Sequence, residues 1–166
     1  MNEHQMTLGT DYAGQDPAGW FLSEKFDGCR AYWDGSQLWT RGGHVIKAPA
    51  WFTAGLPAVH LDCELFAGYG NREAARLATQ FGKFTPDCRL LIHDCPHAPG
   101  NWASRIRTAR ATRHASPVAF AVCRGRSDLN NHLQAVLAKG GEGLVIRHPD
   151  APYTIGRTAS LLKVKP

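Results

Sequence analysis

Short hydrophobic segments with strand character recur along most of this chain, and they restrict its fold more than any other feature. They lie at Phe21 to Lys25, Ala31 to Trp33, Leu61 to Phe66, Arg89 to His93, Val118 to Val122, Leu144 to Arg147 and Leu161 to Val164. Asp34-Gly35 stands between Ala31-Tyr32-Trp33 and Gln37-Leu38-Trp39-Thr40 as a hairpin signal. Helical patterning is confined to about 71 to 80, 102 to 114 and 129 to 139, the last stopped by Gly140-Gly141, while Pro49 to Pro57 reads as an irregular or one-turn connection. Strands outnumber helices and alternate with them, which predicts an α+β domain with mainly antiparallel sheets.

Side chains two apart share one face of a strand. Three charged pairs have that spacing: Lys25 with Asp27, Asp62 with Glu64, and Lys163 with Lys165. Any one pair is explained by a solvated strand face. Together they predict a cleft carrying both signs of charge, which is costly to bury unless the charges serve one another or a ligand. A nucleoside triphosphate with a divalent metal uses both signs. Within Lys25-Phe26-Asp27-Gly28-Cys29-Arg30 the lysine suits nucleophilic attack on an α-phosphorus, with Lys163 and Lys165 lowering its pKa and stabilising phosphate charge. Glu142, with Asp62 or Glu64, offers hard oxygen ligands for Mg²⁺. Arg30 suits a ribose hydroxyl or a phosphate oxygen, and Gly28 allows a tight backbone path.

The 166 residues suffice for one domain, 1–166, burying about 70% of its unfolded surface. A net charge of +5 and pI near 9.1 favour a polyanionic partner, although arginine-rich helix faces would give the same balance. Five cysteines without paired spacing speak against a disulfide framework and for a reducing compartment. Met1 to Gly19 lacks the apolar run of a signal peptide or membrane span, so a cytoplasmic location is expected. Cys88, His93, Cys95 and His97 do not have the spacing of a common zinc module.

In order, the blocks Lys25 to Arg30, Leu61 to Leu65, Ile92 to Asp94, Glu142 to Arg147 and Leu162 to Pro166 resemble the nucleotidyltransferase motifs of ATP-dependent DNA ligases. The stretch Trp20 to Pro57, then Gly140 to Gly143 and Ala151-Pro152-Tyr153 to Gly156-Arg157, is similar to the minimal bacterial ligases called Lig E. That resemblance implies an ATP-grasp-like nucleotidyltransferase domain and a covalent lysyl-AMP on Lys25, with AMP passed to the 5′-phosphate of nicked double-stranded DNA before 3′-hydroxyl attack. It places Glu24 and His93 against adenine, Arg30 and Glu64 on ribose, Lys163 and Lys165 on the α-phosphate, and Glu142 beside the metal. Arg41 and Arg157 are implied to face DNA phosphates. Cys63 departs from the glycine usual at its position, and His93 from the usual aromatic. Related chains continue into an OB-fold domain, whereas Pro166 is the last residue here, so a monomeric core working alone, a truncated form, or a partner chain supplying the clamp is expected. An RNA ligase or capping-type nucleotidyltransferase shares the lysine motif, and a non-catalytic DNA-binding remnant is the reading from another class.

Overall fold

The computed structural model describes residues 6–166. The strands are β1 (Thr7–Asp11), β2 (Phe21–Lys25), β3 (Cys29–Trp33), β4 (Leu38–Thr40), β5 (Val45–Ile46), β6 (Leu61–Phe66), β7 (Arg89–Asp94), β8 (Ala115–Pro117), β9 (Phe120–Val122), β10 (Gly143–Arg147) and β11 (Gly156–Val164). The helices are α1 (Ala50–Thr53), α2 (Arg72–Phe81), α3 (Trp102–Ile106) and α4 (Arg126–Ala138). They form one sheet ordered β1-β11-β10-β2-β9 and a second ordered β5-β4-β3-β6-β7-β8. Pairing is antiparallel except for β1 with β11 and β7 with β8, so the α+β fold with mainly antiparallel sheets is observed.

The strand expected over Val118 to Val122 is shortened to β9 and preceded by a separate β8, α4 starts at Arg126, earlier than expected, and β1, α3 and β11 also differ from the sequence expectation. β1 lies in the polar N-terminal stretch, where Thr7 to Asp11 shows no apolar run, and it forms because the edge of β11 offers backbone partners. Its register jumps between Gly9 and Thr10, and a Cβ at Gly9 would come within 2.9 Å of the Leu161 carbonyl oxygen. Only glycine lets the two backbones approach that closely. α3 ends at Ile106 rather than near 114, because the next residues turn back to meet β8: Thr112 N–H donates to the Ala115 carbonyl at 2.9 Å. β11 begins at Gly156, earlier than the apolar run at Leu161 to Val164 indicates, since its first half pairs with β1 at the surface.

Two apolar layers brace the sheets from outside. Leu22, Leu144, Ile146, Leu162 and Val164 face Leu129, Leu133 and Val136 of α4. The second sheet buries Ala31, Trp33, Leu61, Cys63, Leu65, Leu90 and Ile92 against α1, α2 and α3. Opposite alternation on β2, β10, β3 and β6 therefore turns the charged positions inward, into the space between the sheets. Cys63 takes its place in β6 opposite Ala31, fully buried, and no non-glycine residue among those described has a positive φ. Leu90→Ala, in the solvent-free layer of β7, is expected to cost about 2–5 kcal/mol in urea unfolding with an unchanged m-value, the range for truncating a fully buried leucine.

Candidate active site

Both sheets line a cavity of about 390 Å³ whose walls include Lys25 from β2, Arg30 from β3, Glu64 from β6, His93 from β7, Val145 from β10 and Lys163 from β11. Arg41, Arg157 and Lys165 stand along the same cavity. Lys25 ends β2 directly opposite Gly143, and its Nζ donates to Glu142 Oε1 at 2.9 Å. Lys165 Nζ lies 3.3 Å from the same oxygen. Burial would raise the Glu142 carboxyl, but the bonds and charges of Lys25 and Lys165 outweigh it and hold the group below the usual carboxylate range. A carboxylate is thereby shared between two lysines separated by 140 residues of sequence.

The tight path foreseen at Gly28 has a definite cause. A Cβ there would stand 2.2 Å from the Leu65 carbonyl oxygen, and the glycine N–H donates to Glu64 Oε1 at 3.2 Å. That contact leaves Glu64 Oε2 3.8 Å from His93 Nε2. His93 is the extra residue at a register shift, since Asp62 pairs with Asp94 and Cys63 with Ile92. Bulges of this kind re-aim side chains beside active sites. His93 Nδ1 is buried and has no hydrogen-bond partner among the described residues.

Beneath these groups lie two ion pairs, Arg105 with Asp94 buried and half-buried Arg30 with buried Asp62. Arg30 Nε and Nη2 meet Asp62 Oδ1 and Oδ2, each at 2.6 Å, and Arg105 Nε and Nη2 meet Asp94 Oδ1 and Oδ2 at 2.8 and 3.1 Å. Bidentate pairing fixes geometry as well as charge. Burial alone would raise the Asp62 carboxyl, but Arg30 and a hydrogen bond from Tyr153 hold it below the usual range. Asp62, expected among the metal ligands, thus has both oxygens committed to Arg30 and Tyr153. Among the described residues no three His, Cys, Asp or Glu side chains are grouped to hold a metal, the Cys88, His93, Cys95 and His97 set included.

Glu24 lies off the main cavity but lines a second one of about 200 Å³ together with Lys25, Asp27, Tyr69 and Glu142. Alternation along β2 puts it on the α4 side, opposite to Lys25, where Oε2 pairs with Lys139 Nζ at 2.8 Å and Oε1 is buried without a partner among the described residues. Asp27 lies outside the main cavity wall and pairs at 3.2 Å with Arg72, which lines it. Lys163 Nζ is 3.5 Å from Asp11, and Arg157 Nη1 donates to the Gly9 carbonyl at 2.9 Å, so β1 touches two expected phosphate ligands.

Sequence reading gave no role to four residues of this site: Arg72, Arg105, Arg147 and Tyr153. Arg147 is buried 4.4 Å over the Trp102 ring, and its Nη1 donates to Ser23 Oγ at 2.8 Å. Burial pushes its pKa down to about 10 despite Asp94 and Asp62. Its place two steps beyond Val145 on the inward face of β10 was the available signal. Arg105 offered none, because it pairs only through tertiary packing.

Asp62→Asn is expected to destabilise the chain by about 1–3 kcal/mol at pH 7, since it leaves the half-buried Arg30 guanidinium without its counter-charge. Because the folded-state pKa of Asp62 is depressed, its contribution is complete above the unfolded value near 4 and is lost as pH falls through the folded one. Urea titrations at descending pH should show that acid loss in the natural chain and a smaller one in the variant.

No family model matches the chain. A DNA ligase of Haemophilus influenzae (strain ATCC 51907 / DSM 11121 / KW20 / Rd) is 34% identical over 172 aligned positions, covering 99% of this chain and 64% of the relative. This chain therefore spans a little under two thirds of that relative's length. A solved structure from a structure-function analysis of Lig E DNA ligases superposes with a TM-score of 0.86 at 33% identity, covering 97% of this chain and 68% of that one. Chlorella virus DNA ligase-adenylate shares the fold, with a TM-score of 0.81 at 21% identity and coverage of 97% and 67%. With a third of its residues identical to a Lig E structure and nearly its whole length on the same fold, the chain belongs to the Lig E DNA ligases.

Proposed function

We propose that residues 1–166 form the adenylation core of an ATP-dependent ligase that seals nicks in double-stranded DNA through a lysyl-AMP on Lys25. The observation that carries this reading is the convergence of Lys25, Glu142 and Lys165 at the end of a cavity whose other wall holds Arg30, Glu64 and His93. Lys25 Nζ, as the neutral amine, forms the N–P bond to the α-phosphorus. The P–O bond to pyrophosphate breaks, and pyrophosphate departs with the electron pair. The proton shed by the amine has Glu142 Oε1 within 2.9 Å. Lys163 and Lys165 offset charge on the α-phosphate, preorganised by ion pairs with Asp11 and Glu142.

Arg30 and Glu64 hold the ribose in this reading, and the unpartnered Nδ1 of His93 is a further group for the nucleotide. The donor set suits Mg²⁺ at Glu142 and Glu64, because that ion takes one or two carboxylates together with water and substrate phosphate oxygens. It would supply charge neutralisation at the triphosphate. Arg41 and Arg157, farther along the cavity, meet DNA phosphates when AMP passes to the nick. The reaction needs nicked DNA as partner, and the chain is read as a monomer of the cytoplasm. No helix among the described residues is long and apolar enough to cross a membrane.

Intact mass after incubation with ATP and Mg²⁺ should rise by one AMP, and Lys25→Ala should abolish the gain. Absence of any gain in the natural chain, with no sealing of a pre-adenylated nick, favours the binding remnant. A gain with GTP instead would indicate a capping-type enzyme, and preference for nicks in RNA an RNA ligase. Arg41→Ala should keep adenylation while slowing AMP transfer to nicked DNA by about tenfold or more, the scale for losing a charge-assisted phosphate contact. Equal loss of both steps would remove the assignment of Arg41.

A further inference from the structure

Arg30 does not hold its own orientation. Its Nε and Nη2 are fixed by Asp62 at 2.6 Å each, and Nη2 also donates to the Thr7 carbonyl at 2.9 Å. Tyr153 touches both of these supports. Its hydroxyl donates to Asp62 Oδ2 at 2.7 Å and accepts the Thr7 N–H at 3.3 Å, while Thr7 Oγ1 donates to the Thr154 carbonyl. One phenol thus closes a ring running Tyr153, Asp62, Arg30, Thr7 and back. Burial, then the Asp62 charge, raises the phenol pKa, so the hydroxyl keeps the proton it donates.

The segment carrying Tyr153 is itself anchored. Buried Arg105, held by Asp94, donates from Nη1 to the Ala151 carbonyl at 3.2 Å and to that of Gly100 at 3.0 Å. His148 N–H donates to the Ser160 carbonyl at 2.8 Å. Tyr153 therefore reaches Asp62 from a fixed base. With Nε and Nη2 engaged, Nη1 is the end of Arg30 left for a ligand in the cavity it lines, and its direction is set by the ring.

We infer that Tyr153 is a positioning residue that aims Arg30 at the nucleotide ribose, acting through Asp62 and the Thr7 backbone. The inference rests on the nucleotide-transfer reading above. It predicts that the phenol acts on ribose recognition and not on the phosphoryl chemistry at Lys25, which lies on the other sheet.

Tyr153→Phe removes one oxygen and keeps a ring that is already partly exposed. Self-adenylation kinetics of the natural chain and the variant are compared with ATP, 2′-deoxy-ATP and 3′-deoxy-ATP, with thermal melting to establish folding. The variant should show KM for ATP raised about tenfold with kcat within about twofold, the size of one lost hydrogen bond to a charged group. Its discrimination between ATP and at least one deoxy analogue should fall by about the same factor. In an Arg30→Ala background, Tyr153→Phe should add little, because the two act on one contact. Full discrimination retained in Tyr153→Phe, or its full effect repeated without Arg30, overturns the inference and leaves the ligase reading standing. Failure of the natural chain to take up AMP or to bind ATP overturns the reading itself, and the inference with it, before any variant is made.

Discussion

Charge placed between two β-sheets is tolerable only if it is paired, and the cavity of this protein is built on that requirement. Asp62 and Asp94 lie side by side on adjacent strands, where two carboxylates would repel one another. Each is met by a bidentate guanidinium, Arg30 for one and Arg105 for the other. The two pairs come from different layers: Arg30 from β3 within the sheet, Arg105 from a helix packed beneath it. Arg147, from the facing sheet, adds a third cation, buried, spread over the Trp102 ring and bound to Ser23. The floor is thus rigid and positively biased, which suits an anionic ligand and disfavours rearrangement when one binds.

Above that floor the same logic operates in weaker form. Lys25, Lys165 and Glu142 share one contact region near the open end of the cavity, where solvent lowers the cost of separating them. Separating Glu142 from the lysines would therefore strand no buried charge. The carboxylates of Asp62 and Asp94 lie deep, whereas that of Glu142 is partly exposed. This gradient follows from dielectric.

Much of this was legible in the chain. The spacing of two between Asp62 and Glu64, and between Lys163 and Lys165, correctly put each pair on one inward face, because strand alternation is a local property. Adjacent residues show the same rule in reverse: Glu24, next to Lys25, turns to α4 and meets Lys139. Alternation in β2 was enough to find that. The division of labour between two like acids was not legible, since nothing local distinguishes Asp62, locked by Arg30 and Tyr153, from Glu64, which keeps an oxygen toward His93. Nor was β1, whose residues lack an apolar pattern and pair only because the edge of β11 is there.

The sequence by itself determined the strand-rich α+β class, the order of the charged blocks, the Lys25 to Arg30 motif and the family these blocks indicate. These are set by properties that act over a few residues: side-chain alternation, turn chemistry and the spacing of reactive groups. Only the tertiary structure decided which charges neutralise which, that Tyr153 and Thr7 support Arg30, and that Arg147 lies buried at the end of the cavity. Ion pairing and burial depend on the distance in space between residues such as Lys25 and Glu142, which no local pattern encodes.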